Sequence, residues 1–247
     1  MFRTLSGALG LLAGGLLACE STADSVTGTG GESSSGVGGD PSNCSTTQAP
    51  SGPWTIYLAF DGVTLESVAD GEDDATIPAS SLVPGTTVVP PFREGDPGRQ
   101  EVIDTLLTDL NVVFSPFAVT ITTVRPDGDH MMVVVSGEDA GALIGLVRLD
   151  CGAVVRNDVA IMFDGVADPD RGRYAMANET VFAFTRSIGL AKSNGPGHPC
   201  SCDPSGTCSN DELCQLTSDA IVTFSECPGA GETQDEITAF ANTFGCD

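Results

Sequence analysis

Residues 178–192, NETVFAFTRSIGLAK, must find a core, and that need constrains the fold more than any other stretch of the chain. Val181, Phe184, Ile188 and Ala191 recur at steps of 3, 4 and 3, one stripe of an α-helix, so a buried helix is expected from Asn178 to Lys192. An adjoining face carries Phe182, Arg186 and Gly189 at spacings of 4 and 3. A glycine near the end of such a pattern is an ordinary helix stop.

What surrounds this helix is read from the remaining patterns. Trp54 to Phe60 (WTIYLAF) alternates as a strand and closes at Asp61-Gly62. A loop rich in Asp, Pro and Ser follows. Asp96 to Phe114 sets Val102, Leu106, Leu110 and Val113 on one helical face, and Ser115-Pro116 ends it. Phe117 to Val124 alternates as a strand. Met131 to Ser136 (MMVVVS) is a continuous apolar run, expected as a central strand buried on both faces. Leu146 to Leu149 is a short edge strand, and Asp158 to Phe163 is another strand. Gln234 to Phe244 is a last amphipathic helix with Ile237, Phe240, Ala241 and Phe244 inward. The fold class expected is α+β (mixed α/β), one domain over residues 53–247 with a mostly parallel sheet.

The N-terminus points to export. Residues 1–18 hold Arg3 followed by an uncharged stretch of Leu, Ala and Gly, too short and Gly-rich for a membrane-spanning helix. The stretch ends in Leu16-Leu17-Ala18-Cys19, which resembles the bacterial lipobox. That resemblance implies cleavage before Cys19 and acylation of Cys19. It makes the membrane a partner through lipid, because several acyl chains hold where one is marginal. Glu20 rather than Asp after the acylated cysteine favours outer-membrane sorting. Glu20 to Gly52 is mostly Ser, Thr and Gly and cannot bury a core, so residues 19–52 are expected to be a lipidated, disordered tether spanning about 30 Å.

Setting Cys19 aside from nine cysteines leaves eight: Cys44, Cys151, Cys200, Cys202, Cys208, Cys214, Cys227 and Cys246. An even remainder in an exported chain points to disulfides, in any of 105 connectivities. Six of the eight follow residue 199, so the subregion 196–247 is expected to be stapled by sulfur more than by a core. The spacing of Cys200, Cys202, Cys208 and Cys214 lacks the paired C-x2-C knuckles of a zinc site.

Charge excludes other functions. Thirty-four acids against ten bases give a net charge of −24, which leaves nothing to neutralise phosphates, so no nucleic-acid partner is expected. The DGEDD run at Asp70–Asp74 lacks the ligand alternation of a calcium loop. No G-x-S-x-G elbow is present, and His130 and His198 form no helical H-x-x-x-H pair.

The order of these elements resembles the metzincin zinc peptidases, and more closely their secreted bacterial members. The matching pieces are IYLAFDG, a long helix, FSPFAVTITT, the Asp150-Cys151-Gly152 element, VAIMF and then the helix of residues 178–192. In that family the helix carries H-E-x-x-H-x-x-G-x-x-H. Aligned on Gly189, this chain has Phe182, Ala183, Arg186 and Lys192 at the four chemical positions. The family's methionine turn is best matched by Asp219 to Thr223, with Val222 in place of Met. The resemblance therefore implies the fold without its chemistry. Phe182 has no lone pair, Ala183 is no base, and Arg186 is permanently cationic. The expectation is a pseudopeptidase with no metal or cofactor, binding a peptide or protein or serving structurally. Phe182 would fill the metal cavity with Arg186 against its ring, and Arg186 and Lys192 would supply a positive spot for a peptide carboxylate. The alternatives are a hydrolase with rearranged residues, and an unrelated disulfide-stapled α/β lipoprotein.

Overall fold

The computed structural model describes residues 44–46, 54–138, 140, 145–151, 153–164, 172–190, 192–194, 211–218, 220–224, 227 and 231–246. The signal call on residues 1–18 and the tether call on residues 19–52, with Cys19, lie outside them except at residues 44–46, where the expectation of disorder is corrected because Cys44 is bonded to Cys246. Cys200, Cys202, Cys208, His198 and Ala191 lie outside them too.

A five-stranded sheet forms the centre, in the order β5-β1-β6-β8-β7. Its members are β1 (Trp54–Ala59), β5 (Val119–Thr122), β6 (Met131–Ser136), β7 (Gly145–Leu146) and β8 (Val159–Phe163). Four are parallel, and β7 pairs antiparallel with β8 at the edge. The fold is thus mixed α/β. Strands β6 and β8 are buried along their whole length because both faces of the sheet are covered. The period-2 alternation divides the core. Ile56, Leu58, Met131, Val133, Ala160 and Met162 join the helix-side cluster, while Met132, Val134, Val159 and Ile161 join the other.

The helices are α1 (Arg99–Phe114), α2 (Ala175–Ser187) and α3 (Glu236–Phe244). The first starts three residues later than its periodicity predicts. Asp96 Oδ1 accepts the Gly98 N–H at 2.7 Å, and that turn precedes the helix. The third is capped by Asp235, whose carboxylate accepts the Thr238 N–H at 2.8 Å. Rings link the three helices. Phe114 of α1 meets Phe184 of α2 at 5.3 Å and Phe240 of α3 at 5.8 Å.

The far face is covered by a region read from sequence as loop. There β2 (Val63–Ser67), β3 (Ala79–Ser80) and β4 (Thr87–Val89) form a small sheet, order β3-β2-β4, that buries Leu65, Val83 and Val89. A third sheet, order β11-β10-β9, holds β9 (Lys192–Asn194), β10 (Ala220–Phe224) and β11 (Thr233–Gln234). These strands are two to five residues long and rest on partners distant in sequence, so local periodicity does not reveal them. No helix among the described residues is long and apolar enough to cross a membrane.

Two disulfides pair described cysteines, Cys44 with Cys246 and Cys151 with Cys227, and Cys214 is disulfide-bonded as well. Both described pairs reach back from the C-terminal subregion to earlier parts of the chain, so they staple the domain together rather than the subregion to itself.

Candidate functional site

The helix predicted at residues 178–192 is real but shifted. It begins at Ala175 and ends at Ser187, so the expectation that Lys192 belongs to its pattern is corrected. The physical reason is the cap. Gly189 takes φ +80°, the Leu190 N–H donates to Thr185 O at 2.8 Å, and the Gly189 N–H donates to Arg186 O at 3.0 Å. This is the Schellman arrangement, which requires a residue tolerant of positive φ. The Gly189-Leu190 agreement with the zinc-helix pattern therefore follows from helix termination alone. Gly189→Ala should lower the unfolding free energy by about 1–2 kcal/mol, read by equilibrium denaturation, because alanine resists the left-handed region. A neutral substitution would remove the cap from the account.

Helix α2 is buried on nearly every side. Asn178 fixes it to the segment that follows residue 210. Its amide donates to Glu212 O at 2.9 Å and accepts the Cys214 N–H at 2.8 Å. Thr180 donates to Met176 O at 2.7 Å. The Asp150-Cys151 element docks on the helix end, where the Asp150 N–H donates to Arg186 O at 3.1 Å and the Asp150 carboxylate accepts the Val155 N–H.

The five positions aligned with the zinc motif do not stay together. Phe182 is half-buried, Ala183 is buried, and Arg186 is only 5 % exposed. Lys192 lies in β9, opposite Phe224, beyond the helix cap. Val222, expected in a turn, sits inside β10 opposite Ser193, with an irregularity before Phe224. Among the described residues the cation–π contacts are Arg93 on Phe92, Arg156 on Trp54 and Arg173 on Tyr174, and Arg186 on Phe182 is not one of them. A buried guanidinium is also no open docking point for a carboxylate. That part of the expectation is corrected, and Arg186 belongs to the packing of the helix end.

These residues do not fit a catalytic zinc. Such a site needs neutral imidazoles or anionic ligands beside a carboxylate base. Here an aromatic ring, a methyl group and a permanent cation stand at those positions. Among the described residues no three His, Cys, Asp or Glu side chains are grouped to hold a metal ion.

The C-terminal edge of the parallel strands, where open α/β sheets commonly take ligands, is covered by residues 90–93. The Phe92 N–H donates to Phe60 O at 2.9 Å and the Gly137 N–H donates to Pro90 O at 3.2 Å. Arg93 pairs with Asp164 at 2.6 Å. A Cβ at Gly137 would lie 2.1 Å from Pro91 O, so the close approach requires glycine there. A surface groove of about 480 Å³ runs instead along one face of α1, lined by Glu101, Asp104, Thr108, Asp109 and Arg173 among others. Burial pushes the Asp109 carboxyl up and Arg173, 3.6 Å away, opposes this.

Among the buried carboxyls that sequence reasoning passed over, Asp158 has its pKa raised to about 7. It is 1 % exposed at the entrance to β8. Burial pushes the value up, the Ser187 hydroxyl and the Val159 N–H pull the other way, and Asp73 and Asp150 add repulsion. In the sequence it is only a polar residue ahead of an apolar strand. His130, at the entrance to β6, is 2 % exposed, with its Nδ1 2.7 Å from Gly128 O and its ring edge-on to Tyr57. No family model matches the chain, and no curated protein matches it.

Proposed function

We propose that this chain is an exported lipoprotein whose domain is a metzincin-like fold that has lost its zinc chemistry and serves a binding or structural role toward peptides or proteins. The observation that carries the reading is the order of the central-sheet strands and the helices, the two small sheets apart: β1, the long helix α1, β5, β6, the short antiparallel edge strand β7, β8, the central helix α2 and the closing helix α3. Beside it, Phe182, Ala183 and Arg186 stand on α2 where the resemblance sets ligand, base and ligand. Cys19 provides the anchor, residues 20–43 the tether up to Cys44, which is bonded to Cys246 of the domain, and the outer membrane is the favoured destination. The strong acidity keeps the domain soluble and away from nucleic acid.

The test is made on the oxidised full chain. Zinc per chain is measured by elemental mass spectrometry, and peptidase activity is assayed with and without a chelator. Neither zinc nor chelator-sensitive cleavage is expected. Stoichiometric zinc with chelator-sensitive cleavage would replace this reading by the rearranged hydrolase. Cys19→Ala should move the protein from the membrane to the soluble fraction, and unchanged membrane association would remove the lipid anchor.

A further inference from the structure

The end of α2 meets the sheet over an unpaired carboxyl oxygen. Asp158 precedes β8 and shares the parity of Ala160 and Met162, so it turns to the helix side of the sheet. Its Oδ1 accepts the Val159 N–H at 2.8 Å. Its Oδ2 and the Oγ of Ser187, the last residue of α2, are both buried and outside hydrogen-bond geometry with any partner, and the hydroxyl is still near enough to offset part of the burial cost of the charged form. A helix C-terminus carries partial negative charge, which opposes an anion placed there. The charges acting on Asp158 are those of Asp73 and Asp150, both repulsive. Asp73 is already held by the Ser80 hydroxyl, the Ser81 N–H and the Ser81 hydroxyl, and Asp150 by the Val155 N–H. Arg186 stands on the same helix end, and His130 enters the neighbouring strand on the opposite face, beside Tyr57. Beyond Ser187 the chain turns through Gly189 in the left-handed region and enters β9. This interface accommodates a neutral carboxyl far better than a charged one.

We propose that Asp158 is a proton-controlled latch for the end of α2: neutral, it lets residues 186–190 seat on β8, and ionised, it loosens them. The inference stands apart from the proposed function, since it uses no peptidase residue. Seated, Asp158 keeps its proton until about pH 7, whereas exposed it would lose it near the ordinary carboxylate value of about 4. The raised value means that the seated state is fully favoured below about pH 4 and loses that advantage as pH rises to about 7. Opening should therefore grow up to about tenfold per pH unit within that window and level off above it.

Hydrogen exchange on the full chain reads this directly. The Ile188, Gly189 and Leu190 amides are bonded to Phe184 O, Arg186 O and Thr185 O when the latch is closed. Their protection factors should fall about tenfold per unit from pH 5 to 7 and stay level to pH 8. The β6 amides of Val133 and Val134 should hold over the same range. Asp158→Asn should abolish the slope. A slope that survives in Asp158→Asn, or one equally large in β6, overturns the latch. Should Asp158→Asn not fold, carbon-13 titration of the Asp158 carboxyl in the unsubstituted protein decides the matter. A midpoint near 7 supports the latch, and one in the ordinary carboxylate range overturns it.

Discussion

Replacing Cys44 and Cys246 together by serine should cost about 5 kcal/mol of unfolding free energy. The bond closes a loop across a sequence separation of 202 residues, and chain-entropy reasoning gives about that value for a loop of this size. The site explains why the bond matters to the native state as well. Cys246 lies beside β5, bridged to Phe117, and the Ala118 N–H donates to Gly245 O at 3.0 Å. The C-terminus thus covers the start of an edge strand that would otherwise offer unpaired backbone groups. Equilibrium denaturation of the oxidised protein and of the double variant measures the loss. A difference below about 1 kcal/mol would mean that packing of α3, not the disulfide, holds the two ends of the domain together.

Phe240→Ala should be nearly as damaging, at about 3–5 kcal/mol. Phe240 is fully buried and its ring meets Phe114, Phe117 and Phe244 at 5.8, 5.5 and 5.2 Å. Phe244 continues the contact to Trp54 of β1 at 5.0 Å. Removing the central ring leaves a cavity lined by side chains fixed on α1, on the segment leading into β5 and on α3 itself, which cannot all collapse into it. Ile237→Ala, on the half-buried flank of the same helix, is the control and should cost clearly less. Equal losses from the two variants would show that the ring cluster contributes no more than the helix itself.

Much of the architecture was legible before the structure. Met131–Ser136 is the predicted strand residue for residue, and Leu106, Leu110 and Val113 of α1 and Phe240, Ala241 and Phe244 of α3 are buried as their periodicity names them, while Val102 and Ile237 are only half-buried. These elements announce themselves because burial repeats along the chain at the period of the backbone. The central helix was legible in kind but not in register. Its core stripe, Val181, Phe184 and Ile188, is buried as expected. Its start at Ala175 reflects packing on every side, and its end reflects a cap set by the φ of one glycine. The candidate site fared differently. The alignment on Gly189 rested on a residue that any helix ending this way would select. The burial of Arg186 and the passage of Lys192 into β9 depend on what lies across from them.

By itself the sequence determined the residue types, hence the absence of imidazole and carboxylate from the aligned helix positions, the alternation that buries β6, and the count of cysteines. Only the tertiary structure decided which cysteines meet, that short segments at residues 63–89 and 192–234 pair into sheets, and that Asp158 loses water beneath α2. The division has one physical cause. Helix and strand periods, turn chemistry and charge are properties of neighbouring residues, whereas disulfide pairing, short-strand pairing and desolvation are set by groups that only folding brings together.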